Sequence, residues 1–148
     1  MKIPFLVGRL IFGGFFLYNG INHFKNHKMM AKYTAAKNVP VPDAAVLVTG
    51  TAFSLGGASI LLGIKPKVGA LALIGFLAGV SLIMHNFWKV QDPQQRATEM
   101  AHFAKNMALL GGALALSAVE EPWPISVPVD QPSGIQRVRQ AFHRAVAA

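Results

Sequence analysis

Residues 44–64 contain no charged side chain, and this run of twenty-one residues is as long as a helix must be to cross a hydrocarbon core of about 30 Å. Ahead of it, Val39-Pro40-Val41-Pro42 cannot continue a helix, and Asp43 suits an N-cap. Lys65-Pro66-Lys67 behind it leaves room only for a tight turn before residues 68–88, a second long apolar run. The two runs are therefore expected as antiparallel neighbours. With 148 residues, 53% of them hydrophobic and 14% charged, the chain is one domain with too little charge for an ordinary soluble surface.

Two further runs complete the expected architecture. Residues 3–24 form the first span; Lys2 lies outside it, and Arg9 is close enough to the end to snorkel. Arg9 also interrupts a signal-like apolar stretch with no small-residue cleavage site after it, so the segment reads as a retained helix. Residues 100–119 form the fourth span, whose first two turns carry His102, Lys105 and Asn106. Between spans one and two, Lys25, Lys28, Lys32 and Lys37 mark a basic connector; Met29, Met30 and Tyr33 suit either a short interfacial helix or a solvated loop. The second polar connector, residues 89–96, contains Pro93 as a breaker.

Small residues at four-residue spacing predict close helix packing: Gly50, Ser54 and Ala58, then Gly75 and Gly79, then Ala108 and Gly112. The expected fold is all-α, an integral membrane four-helix bundle over residues 1–119. Residues 120–148 follow as a Pro-rich linker and a basic amphipathic tail, in which Ile135, Val138, Phe142 and Val146 recur at helical spacing among arginines. That tail is expected as a short helix on anionic lipid or a partner subunit, and dispensable for the bundle.

The net charge of +8 does not point to nucleic acid, because the basic residues lie in loops and the tail with no aromatic-interleaved basic face. Cysteine is absent, which excludes disulfides, thiolate metal sites and cysteine redox chemistry on this chain.

Four antiparallel spans bring the unusual polar residues to one membrane face. Spans one and three end there and span four begins there, which gathers Asn19, Asn22 and His23, then His85, Asn86 and Trp88, then Glu99, His102, Lys105 and Asn106. Polar and ionisable groups inside a span are costly, so such a layer is a candidate site. Several readings stay open. The groups could merely satisfy one another and fix helix packing. They could bind a lipophilic quinone, with His, Asn and Lys donating to its carbonyls and Phe87, Trp88 and Phe103 covering its ring. Glu99-x-x-His102 has the spacing of carboxylate-bridged metal bundles, but the second such motif and two further carboxylates are missing. A single ion or a haem therefore stands behind the quinone reading, and no residue is assigned as a metal ligand. A proton or small-solute path is the remaining alternative.

Several motifs also carry a family resemblance: Gly8-Arg9 with Gly13, Phe16, Gly20 and His23-Phe24, then Val41-Pro42, then His85-Asn86-Phe87-Trp88, then Phe103-x-Lys105-Asn106-x-Ala108-Leu109-x-Gly111-Gly112. Over residues 5–118 the chain resembles the DoxX family of small bacterial four-helix membrane proteins. The resemblance implies a multi-pass protein of the inner membrane. For some relatives it implies the membrane subunit of a thiosulfate:quinone oxidoreductase or of another oxidoreductase complex, with a redox partner subunit. The matching polar positions are His23, His85, Asn86, Lys105 and Asn106, to which no catalytic role is attached. Any sulfur chemistry would belong to a partner chain. The rival expectation is a non-catalytic accessory subunit.

Overall fold

The computed structural model describes residues 3–127, and all regular secondary structure among them is helical. Helix α1 spans Ile3–Lys25, α2 His27–Ala36, α3 Pro42–Leu62, α4 Pro66–Met84 and α5 Pro93–Ser117, with a single 3-10 turn at Phe87–Lys89 before α5. Three segments, Ile3–Lys25, Pro42–Leu62 and Pro66–Lys89, are long and apolar enough to cross a membrane. The fourth long helix, α5, is less apolar because its first half is polar. The expected C-terminal amphipathic helix lies outside the described residues.

Local signals explain the boundaries, with corrections. Helix α3 begins two residues earlier than expected: Val41 takes the cap position with Pro42 as the first helical residue, and Asp43 falls in the first turn, where its charge suits the helix dipole. Helix α4 stops at Met84, four residues short of Trp88, so His85 and Asn86 stand on irregular backbone. Helix α5 starts seven residues before the expected boundary. Pro93 opens it rather than breaking it, because a first-turn proline lacks only an N–H that has no helical partner anyway. The Asp92 carboxylate accepts from the Gln95 N–H at 2.7 Å and caps that turn. The basic connector is helical, as one of its two readings had it.

Helix α1 packs on α3, α3 on α4, and α4 on α5, while α2 lies across the end of α3. Glycines set the closest seams: a Cβ at Gly13 or Gly20 would strike the backbone of α3, and one at Gly57 the backbone of α1. Such approach replaces the hydrophobic effect as the source of helix association in lipid. Gly50, Ser54 and Gly112 lie on seams as expected. Gly75 and Gly79 do not, since a Cβ at either position would meet no atom within 4 Å. The core is built on Phe16, Phe53, Ile60, Leu73 and Leu77, with Phe53 edge-on to both Phe16 and Phe76.

Arg9 departs furthest from expectation. It does not snorkel; it is 2% exposed and donates to four carbonyls. Nε binds Ile60 O at 2.8 Å and Nη2 binds Leu61 O at 2.8 Å, occupying acceptors that the last turn of α3 leaves unpaired. Nη1 binds Pro124 O at 2.6 Å and Nη2 also reaches Ile125 O at 3.1 Å. The guanidinium lies 5.8 Å from the Trp123 ring centroid, and Trp123 packs edge-on against Phe5. The chain reverses beside it at Gly63, whose φ of +69° suits glycine and where a Cβ would collide with Ser126. Packing therefore does not end at Val119: Trp123 is 2% exposed and belongs to the core, and the Val127 N–H bonds Leu62 O at 2.8 Å.

This clasp reverses the expected dispensability of everything after Glu121. Arg9→Met should cost about 3 kcal/mol or more, because hydrogen bonds from a charged donor are the strong ones and the stripped carbonyls remain buried. Truncation after Glu121 should lower the melting midpoint in detergent as well, and the two changes together should cost little more than the worse alone. A truncated chain that melts with the parent, followed by circular dichroism, would remove the clasp from the account.

Candidate functional site

At the opposite end of the bundle, α1 and α4 terminate, α5 begins and α2 covers the end of α3. Asn19 and His23, one turn apart on α1, turn inward: Asn19 Nδ2 donates to Phe15 O and His23 Nδ1 donates to Asn19 O, both at 2.7 Å. The Nε2 of His23 has no hydrogen bond among the described residues. The irregular backbone after Met84 sends His85 toward α5, where its Nδ1 donates to Glu99 Oε2 at 2.8 Å. The other carboxylate oxygen of Glu99 accepts from Lys37 Nζ at 2.5 Å. Glu99 is 5% exposed, and this two-sided engagement is what a buried carboxylate requires.

Lys37 reaches Glu99 because α2 docks through Ala31 and Thr34 and ends beside α5. Its ammonium also lies 5.8 Å from the Tyr33 ring centroid. Partial burial raises the Tyr33 hydroxyl above the ordinary tyrosine range, Glu99 adds to the rise, and Lys37 opposes it. His102 stacks on His85, with ring centroids 5.1 Å apart and planes 24° from parallel. Face-to-face rings do not present their nitrogens to one iron between them. Among the described residues no three His, Asp or Glu side chains gather as a metal site.

Beside this network lies a cavity of about 550 Å³, within the range of small-molecule sites. His85, Lys105 and Asn106 line it together with Asn19 and His23. Phe15, Phe16, Phe53, Phe76 and Leu109 supply much of its apolar wall. Asn106 is 6% exposed and its side chain makes no hydrogen bond among the described residues; Lys105 forms no ion pair among them. The cavity therefore offers donors that the protein itself leaves unused.

Of the ten residues read as a polar cluster, five line the cavity: Asn19, His23, His85, Lys105 and Asn106. Glu99 and His102 hold His85 from behind. The other three stand apart. Asn22 accepts from the Asn26 side chain at the α1–α2 junction, Asn86 opens the 3-10 turn, and Trp88 is 49% exposed against Phe87 and Phe103. Sequence reasoning missed Lys37, Tyr33 and Thr34, because nothing local shows that α2 folds back over the site.

The Lys37–Glu99 contact joins groups buried enough to test by a double-mutant cycle. Lys37→Met and Glu99→Gln should each lower the melting free energy, and the double variant should cost about 2 kcal/mol less than their sum. Strict additivity would mean that the pair contributes nothing specific to holding α2 on α5.

The family model described as DoxX matches residues 5–86, more than half of the chain. That stretch covers α1 from its third residue through α4 and reaches His85 and Asn86, stopping before α5. No curated protein and no solved structure matches the chain. On this match and its helical architecture, the chain belongs to the DoxX family.

Proposed function

We propose that this protein crosses the bacterial inner membrane four times and binds a quinone-like ligand in the cavity beside Glu99, as the membrane subunit of an oxidoreductase complex. Helix α5 supplies the fourth crossing. Its 25 residues measure about 37 Å at 1.5 Å per residue, and it runs back alongside α4, which is itself long and apolar enough to span. Within its polar first half, Glu99 is taken up by Lys37 and His85, and Lys105 and Asn106 by the cavity, while Gln94, Gln95, Arg96 and Thr98 at its start are exposed.

The observation that carries the ligand is Asn106. The residue is 6% exposed, yet its amide makes no hydrogen bond among the described residues and faces the cavity, where its N–H groups suit the carbonyl oxygen of a quinone. Lys105 adds a cationic donor, and His85 and His23, whose Nδ1 atoms donate to Glu99 and to Asn19 O, present Nε2 as an acceptor when neutral, which suits a hydroxyl of the reduced quinol. The phenylalanine wall suits a flat ring. The accessory reading has its own support in Glu99, Lys37 and His85, which satisfy one another and would knit α2, α4 and α5 with no ligand present.

The two readings separate at the unused donors. Asn106→Leu and Lys105→Met should leave the melting midpoint within a few degrees of the parent, since neither removes a protein hydrogen bond. Each should lower retention of added quinone by roughly tenfold, the loss of about one good hydrogen bond to the ligand. His85→Ala is a poorer probe, because it also strips Glu99. Unchanged quinone retention in both variants would leave the polar layer as packing alone.

A further inference from the structure

The cavity has a direction. His85 lies at one end beside Glu99, while Phe15, Phe76 and Gly75 line it nearer the middle of the bundle; Lys105 and Asn106, six and seven residues along α5 from Glu99, stand about 10 Å deeper than that end. From Gly75, α4 runs nine residues further, about 13 Å, to its end at Met84, where His85 follows. Gly75 is also the middle residue of α4, which puts this apolar end near the centre of the hydrocarbon when α4 spans it.

That end is open. Gly75 is exposed and Gly79, one turn on, is half-buried; both line the cavity, and a Cβ at either would meet nothing within 4 Å. Glycines on the helix seams behave oppositely, as Gly56 and Gly69 show where α3 meets α4. The pair therefore does not serve close packing. It leaves a gap in the wall at a depth where the surroundings are acyl chains.

We propose that the cavity is loaded sideways from the bilayer through the gap at Gly75 and Gly79, and that its ligand is an amphiphile with a hydrogen-bonding head at Lys105 and Asn106 and an apolar tail leaving through this gap. The inference rests on the quinone reading and adds the tail and its path. A long tail makes passage through water unfavourable, whereas a lateral gap keeps it in hydrocarbon throughout. The head would meet Lys105 and Asn106 inside the gap, with the tail still in hydrocarbon.

Reconstitution of the full chain in phosphatidylcholine nanodiscs tests this with two probes, a quinone carrying a ten-isoprene tail and the same ring with a methyl group in place of the tail. Replacing both glycines with leucine should lower retention of the tailed quinone roughly tenfold and leave the tailless one within about twofold. Neither leucine begins against a neighbouring atom, and each replaces a poorer helix former. Should the leucine variant fail to fold, Gly75→Ala with Gly79→Ala gives the same comparison with a smaller effect. Equal loss of both probes, or no loss of either, overturns the tail path while leaving the head site standing. A parent protein that retains neither probe removes the quinone reading and this inference together.

Discussion

A polar group that leaves water for a bilayer must find its hydrogen bonds inside the protein, and the two most deeply buried charges among the described residues, Arg9 and Glu99, organise opposite ends of the bundle under that constraint. Arg9 draws the last turn of α3 and the Trp123 segment onto α1 through backbone carbonyls. Glu99 draws α2 and the end of α4 onto α5 through Lys37 and His85. Between these two ends the helices need only glycine seams and a phenylalanine core, which hold shape without directional bonds. The ends differ in one respect. The Arg9 fork uses its donors on the protein, whereas the Glu99 end adjoins a cavity where Lys105 and Asn106 keep theirs.

That difference separates structural polarity from functional polarity in a membrane protein. Glu99 anchors His85 by one nitrogen, so the other is presented from a fixed ring, and the stacked His102 restricts the ring further. A ligand meeting such a group loses little to reorganisation of the protein, which is the general advantage of a pre-formed site. The same carboxylate fixes α2, so the connector that roofs the site and the histidine that faces it are positioned by one residue. Changes at Glu99 should therefore be felt in helix packing and ligand geometry together.

Much of the fold was legible because its signals are local. The charge-free run of residues 44–64, the Lys65-Pro66-Lys67 turn and the polar residues closing α1 required only hydropathy and spacing. The convergence of His23, His85, Lys105 and Asn106 followed from counting crossings. What escaped is long-range. Arg9 finds acceptors 51 to 116 positions away, and Lys37 finds Glu99 across 62, so each read locally as an end-of-helix or connector charge. Pro93 was misread because the same residue that breaks a helix interior can open one. Gly75 and Gly79 share the spacing of packing glycines, and only the positions of their neighbours reveal an open wall.

The cavity beside Glu99 is proposed as a ligand site whose donors, at Lys105 and Asn106, are not used by the protein's own network of Glu99, Lys37 and His85. Organic extraction of the purified protein, with the extract quantified by mass spectrometry, addresses it without any added ligand. A tailed quinone or an amphiphile of the same kind is expected close to one per chain, retained through detergent washing that removes bulk lipid. An extract holding only phospholipid in the proportions of the surrounding membrane would contradict it.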